Sequence, residues 1–317
     1  MLKALILPKA SRTTVSDTVN TLLVLLGPTA VGKTEVSLSV AEHCGCPIIS
    51  ADSRQFYQGL SIGTATPTPA DLARVSHYFV GFLPIDATYS AGLFETEVLR
   101  ILATRNTDPP AILCGGSMLY IDAVCCGIDD IPPPDPAVRL SLYERYAQEG
   151  LSSLLDELHE RDPIYYNRVD PHNYKRILHA LEVCISTGRP FTSFHTCKPK
   201  PRPFHVRKFG LTLPRELLYE RINARVDRMM ASGLLDEARQ FYPFRHCNAL
   251  NTVGYKELFL HFDGLLSLPQ AIDRIKSNTR RYARQQLTWF RRDPAITWLA
   301  PTDTCLLPKI ISEYTLR

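Results

Sequence analysis

One short segment constrains the fold of this chain more than any other. "TLLVLLGPTAVGKTEVSLSV" (residues 21–40) sets a continuous apolar run, Leu22 to Leu26, directly before Gly27-Pro-Thr-Ala-Val-Gly-Lys-Thr34. A short apolar run ended by glycine reads as a buried strand, and Val36, Leu38, Val40 and Ala41 beyond it fit a helix. The spacing G-x-x-x-x-G-K-[ST] between strand and helix predicts a phosphate cradle, in which turn amides and the positive helix end surround anionic oxygens. Gly27, Thr29, Ala30, Val31 and Gly32 build the turn, Lys33 adds a point charge, and the Thr34 hydroxyl suits a Mg²⁺ ion. ATP, GTP and other diphosphate esters look alike to such a loop, so the phosphate's identity stays open at this point.

Further apolar runs at 47–51 ("PIISA"), 111–114 ("AILC") and 206–213 ("VRKFGLTL") alternate with stretches of helical pattern. That alternation predicts an α/β protein: a P-loop NTPase-like core with a mostly parallel sheet flanked by helices. Two proline-rich breaks, "DDIPPPDPA" (129–137) and "TCKPKPRPF" (196–204), bracket a purely helical stretch. Within it, Asn173 opens and Gly188 closes the helix "YKRILHALEVCIST". We read residues 129–199 as an inserted helical subdomain, 21–128 and 200–317 as the core, and 1–20 as a flexible N-terminal extension. "RELLYERINARVDRMMASGLLDEAR" (215–239) reads as one long helix with Leu218, Ile222, Val226 and Met229 as its packing stripe.

Hydrophobic residues at 45% and charged residues at 21% exclude a disordered chain. No apolar run approaches the ~18 residues of a membrane span, and the N-terminal apolar patch is too short for a secretory signal. Nine cysteines without a C-x-x-C pair read as reduced thiols of a cytoplasmic protein. The net charge of +4 conceals an asymmetry: residues 200–292 hold 18 Lys+Arg and 8 Asp+Glu, an excess of ten, which leaves −6 elsewhere. A basic region beside a phosphate site points to a polyanionic partner, of which nucleic acid is the common one. Within it, "DRIKSNTRRYARQQLTWFRRD" (273–293) interleaves basic residues with Tyr282, Trp289 and Phe290, although Leu287, Phe290 and Trp289 read better as core.

A last pattern is "IISADSRQFYQGLSIGTATP" (48–67), which places Asp52 and Ser53 at the carboxyl end of a strand, where open α/β sheets bind ligands. Taken alone, Asp52 serves equally as a metal ligand, a general base or a helix cap. It stands in a series with "LCGGSMLYIDAV" (113–124), "RINARVDRMMASGLLDEA", "NTVGYKEL" and "TRRYARQQLTWFRR". Together with the P-loop, these six blocks, in order from about residue 22 to 300, resemble the tRNA dimethylallyltransferase (tRNA isopentenyltransferase) family.

The resemblance implies that the loop holds dimethylallyl diphosphate and that the prenyl group goes to N6 of the adenosine 3′ of the anticodon. It implies Asp52 as general base, Ser117 near the diphosphate or the attacked carbon, and Arg225 on the leaving diphosphate. Mg²⁺ on Thr34 is the implied cofactor. The implied contacts to the tRNA anticodon stem-loop are Asp52, Ser53, Arg54 and Gln55, then Asn251, Thr252, Gly254, Tyr255 and Lys256. Lys175 and Arg176 of the inserted subdomain and Arg284 complete that set. The chain departs from the family pattern at Ala283-Arg-Gln-Gln286, where the family has A-[KR]-[RK]-Q, and at Thr66, where it has lysine. A monomer without membrane attachment is expected. Three alternatives stay open from the residues alone: a small-molecule P-loop kinase, a prenyltransferase of free adenine nucleotides, and a non-catalytic RNA-binding protein with a relic loop.

Overall fold

The computed structural model describes residues 20–105, 109–133, 135–196, 198–303 and 305–315; most of the predicted N-terminal extension lies outside them. β1 (Thr21–Leu26) leads through the glycine turn into α1 (Lys33–Cys44). β2 (Ile48–Ala51), α2 (Pro69–Arg74), β3 (His77–Tyr78), α3 (Ala91–Ala103), β4 (Ile112–Gly115) and α4 (Met118–Cys126) follow. Four helices come next: α5 (Pro136–Glu149), α6 (Ser152–Arg161), α7 (Pro163–Tyr166) and α8 (Tyr174–Thr187). The chain then forms β5 (His205–Leu211), α9 (Arg215–Ala231), α10 (Leu234–Phe241), α11 (Tyr255–Phe262), α12 (Leu268–Phe290), β6 (Ile296–Leu299) and α13 (Leu306–Thr315).

The six strands make one sheet of order β3-β2-β4-β1-β5-β6, and every pairing in it is parallel. This bears out the predicted P-loop NTPase-like α/β core. Leu22 to Leu26 are all at most 4% exposed, because helices cover both faces of a parallel sheet and each strand is buried on both sides. Each such side chain contributes about 1.5–3 kcal/mol on leaving water. On one face Leu23 and Leu25 join Leu38 of α1, Phe209 of β5, Ile222 of α9 and Ala283 of α12 in a single cluster. The register sets the strand ends level: Leu26 lies opposite Gly115 and Gly210, and Ala51 lies opposite Gly115. Residues 27, 52 and 116 therefore leave the sheet side by side.

The chain divides into two compact units, one from the residues up to Cys125 with those from Arg202 onward, the other Cys126–Pro201. The second unit holds α5 to α8 around Leu142, Leu154, Leu158, Ile177 and Leu181. Asp162, 1% exposed, ties it together by accepting from Tyr165 N at 2.9 Å and Thr192 N at 2.7 Å. Asn173 caps α8 by accepting from Arg176 N at 3.3 Å, and Gly188 ends it at φ 68°.

Two features differ from the sequence reading. The long helix expected over 215–239 is two helices, because Gly233 takes φ 98°, a left-handed turn that glycine enters without a Cβ penalty. β3 and β6 went unread: two and four residues carry too little periodicity, and only pairing with β2 and β5 makes them strands.

Candidate active site

The level ends of β1, β2 and β4 open onto a cavity of about 750 Å³. The turn after β1 forms its floor. Gly27 is required there because a Cβ would stand 2.7 Å from the Leu211 carbonyl oxygen of neighbouring β5. Ala30 adopts φ 65°, a conformation rare outside glycine and typical of strained functional turns. Thr29, Ala30, Gly32, Lys33 and Thr34 line the cavity, while Val31 is fully buried in the core beneath. α1 begins at Lys33, so the amides of its first turn lack intrahelical acceptors and face this space with the positive end of the helix. Lys33 Nζ donates to Gly27 O and Pro28 O, both at 2.9 Å. Burial pushes the Lys33 ammonium down to about 8, opposed in part by Cys114 and Asp52, with the Arg225 charge adding a still smaller downward push.

Asp52, at the end of β2, also lines the cavity. Its Oδ1 accepts from Arg54 N at 3.1 Å, a local turn that holds the carboxylate. Ser117, 8% exposed, lies behind the cavity wall: its hydroxyl accepts from Ser53 N at 2.9 Å and donates to Ser53 Oγ at 3.2 Å. Gly116, not Ser117, faces the cavity. Gln55 uses its side chain internally, accepting from Ser50 Oγ at 3.0 Å and donating to Ala65 O at 3.1 Å and Thr64 O at 3.3 Å. Arg54 Nη1 reaches across to donate to Asn248 O at 2.7 Å.

α9 supplies a third side. Arg221, Arg225 and Arg228 all line the cavity. Arg221 Nη1 is spent on the Val31 carbonyl at 3.2 Å. The Arg225 guanidinium is held below its ordinary value by burial, with the Asp52 charge opposing and Arg228 reinforcing. Lys33, Asp52 and Arg225 thus form one electrostatic group.

Asn251, Thr252, Gly254 and Lys256 line the remaining side. Tyr255 does not; it is fully buried, its hydroxyl donating to Glu237 at 2.6 Å. The same carboxylate accepts from Ile62 N and Gly63 N, both at 2.8 Å, so Glu237 pins the 61–63 turn to α11. Tyr282 of α12 reaches the wall, and burial pushes its hydroxyl up to about 12, helped by the Asp52 charge. Trp289, read from sequence as core, is only half-buried, and its indole N–H donates to Asp122 Oδ2 at 2.8 Å. Arg284 is exposed and away from the wall, and Lys175 and Arg176 are exposed on α8 in the second unit. Sequence reasoning missed Gln286 and Glu237, whose signals were a glutamine in an RQQ run and a glutamate four residues past a helix-breaking glycine.

Fold and cavity together define an α/β protein of the P-loop class with a strand-end carboxylate in the same cavity as its phosphate turn. It belongs to the IPP transferase family, whose model matches residues 55–293. It is 56% identical over 286 residues to the tRNA dimethylallyltransferase 2 of Parabacteroides distasonis, spanning 90% of this chain and 96% of that relative. It is 57% identical over 283 residues to the tRNA dimethylallyltransferase 2 of Porphyromonas gingivalis, covering 89% and 94%. The crystal structure of the full-length tRNA isopentenylpyrophosphate transferase from Bacillus halodurans superposes with a TM-score of 0.66 at 35% identity, covering 93% of this chain and 94% of that one.

Proposed function

We propose that this protein transfers the dimethylallyl group of dimethylallyl diphosphate to N6 of the tRNA adenosine 3′-adjacent to the anticodon, releasing diphosphate. One observation carries the reading: the phosphate turn and Asp52 line a single cavity, with Lys33, Asp52 and Arg225 in electrostatic reach of one another. The first-turn amides of α1, Lys33 and Arg225 hold the diphosphate where negative charge grows as the allylic C–O bond breaks. Lys33 then exchanges its two carbonyl partners for phosphate oxygens. Asp52 takes the proton from N6, whose lone pair is otherwise delocalised into the ring. Ser117 keeps Ser53 and the neighbouring Asp52 in place.

Mg²⁺ fits this arrangement as an ion that arrives with the donor. The described residues contain no group of three His, Cys, Asp or Glu side chains placed to hold an ion, Thr34 offers one hydroxyl on the cavity wall, and Mg²⁺ keeps several waters and takes phosphate oxygens readily. Held by Thr34 and the donor's phosphate oxygens, it would neutralise leaving-group charge.

For the tRNA, the anticodon stem-loop is the proposed partner, with the target base unstacked to enter the cavity. Asp52, Ser53, Arg54, Asn251, Thr252, Gly254 and Lys256 meet the flipped base and its neighbours. Gln55 and Tyr255 act by shaping the loops that do so. Arg284, Lys175 and Arg176 meet phosphates, which makes the inserted helical subdomain, 129–199, a tRNA-contacting element. A monomer acting in the cytoplasm is the accompanying proposal; among the described residues no helix is long and apolar enough to cross a membrane.

The test is incorporation of labelled dimethylallyl diphosphate into unmodified tRNA, with free AMP and an ATP-only reaction alongside. Label in tRNA that disappears when the target adenosine is replaced is the expected result. Label in AMP, or ATP consumption without label, overturns it.

A further inference from the structure

Gln286 of α12 is 2% exposed, yet it reaches the cavity wall from behind. Its Oε1 accepts from Thr29 N at 2.9 Å, and its Nε2 donates to Gly116 O at 2.8 Å. The first partner belongs to the phosphate turn after β1, the second to the glycine turn after β4. One buried amide therefore bonds two loops that the sheet only brings near each other. The fit is close, since a Cβ on Gly116 would collide with Nε2.

The connection runs on to Asp52. Ser117 N donates to Ala51 O at 3.0 Å, and its hydroxyl accepts from Ser53 N, so the residue after Gly116 grips the chain on both sides of the carboxylate. On the phosphate side, Lys33 binds the carbonyls of Gly27 and Pro28 next to Thr29. Glutamine suits this position chemically: it accepts at one atom and donates at the other, which ionised glutamate and lysine do not.

We propose that Gln286 is a positioning residue for group transfer, setting the spacing between the diphosphate cradle and the Asp52 turn. This rests on the functional reading above. Donor carbon and acceptor nitrogen must meet at near-attack distance, and a displacement of about 1 Å costs on the order of a hundredfold in rate. On the functional reading the diphosphate is held by the first-turn amides of α1, Lys33 and Arg225, whereas the hydrogen bonds of Gln286 go to Thr29 N and Gly116 O. Its loss therefore falls on kcat and spares donor affinity.

The experiment compares the full-length chain with Gln286→Ala and Gln286→Glu. It measures steady-state prenyl transfer from dimethylallyl diphosphate to unmodified tRNA, binding of inorganic diphosphate by calorimetry, and thermal melting. Gln286→Ala is expected to lower kcat about 30- to 100-fold, with donor KM and diphosphate Kd within about threefold of the parent. In Gln286→Glu only the protonated carboxyl both accepts and donates, so its rate relative to the parent at the same pH rises as pH falls. If Gln286→Ala does not fold, this pH-dependent ratio decides alone. A folded Gln286→Ala with parental kcat, a loss carried entirely by donor KM and Kd, or a ratio flat in pH overturns the proposal. A parent chain that prenylates no tRNA overturns the functional reading and this one with it, whereas an active parent matched by its variants overturns the positioning role alone.

Discussion

The Lys33 ammonium donates a 2.9 Å hydrogen bond to the Gly27 carbonyl, and a second of equal length to Pro28, so the phosphate turn closes on its own lysine. Burial holds this ammonium near 8, from an ordinary 10.5. Diphosphate stabilises the charged form, so donor binding takes up a proton above that pH. We expect donor KM to rise as pH passes about 8, approaching about tenfold per pH unit, and Lys33→Met to weaken binding and remove this limb. Steady-state kinetics from pH 6.5 to 9.5 would check it. The sign for folding is opposite in form: between about pH 8 and 10.5 the unfolded chain binds more protons at this lysine, so its contribution to stability increases with pH across that window.

Asp52 lines the same cavity as the phosphate turn and is held by the Arg54 amide. Asp52→Asn should remove the proton acceptor while keeping the turn, lowering kcat by about 10²–10⁴-fold. Inorganic diphosphate should bind with near-parental Kd in calorimetry. Near-normal turnover would dismiss Asp52 as the base.

Glu237 is a stability prediction. Its carboxylate accepts from Ile62 N, Gly63 N, Ser61 Oγ and the buried Tyr255 hydroxyl. Glu237→Ala leaves several of these donors without an acceptor, a loss of about 3 kcal/mol, whereas Tyr255→Phe removes one hydrogen bond and costs about 1 kcal/mol. Urea midpoints of the two variants should fall in that order. Equal midpoints would mean water replaces the carboxylate freely.

Arg284 is exposed on α12 and away from the cavity. Arg284→Ala should weaken tRNA binding and reduce the slope of log K against log salt by about 0.7–0.9, the signature of one phosphate contact. Donor KM should not change. Filter-binding titrations from 50 to 300 mM salt, beside donor kinetics, test both halves.

The roles of residues within the matched motifs depended on burial that no motif displays. Tyr255 stands in a segment that reads as a substrate contact, yet it is fully buried and its hydroxyl holds Glu237, while half-buried Gln55 lines the cavity with its side chain bonded to Ser50 and the 64–65 turn. Ser117 reads as a cavity hydroxyl and instead braces Ser53. Conversely, the family pattern A-[KR]-[RK]-Q marks Gln286 rather than Gln285, but only the inward direction of Gln286 on α12, beside exposed Gln285, shows what it bonds.

What the sequence by itself determined was local. The apolar run into G-x-x-x-x-G-K-T demands a strand, a tight turn and a helix N-terminus, because short-range backbone geometry and the placement of glycine leave little else. The alternation of apolar runs and helical stretches demands a parallel sheet for the same kind of reason. The tertiary structure alone decided that Leu26, Ala51 and Gly115 end level, that the basic helix α12 reaches back to bond Thr29 and Gly116, and that β3 and β6 are strands at all. These are pairings between residues up to 257 positions apart. No local propensity encodes them; they follow from which buried surfaces fit together once the sheet has formed.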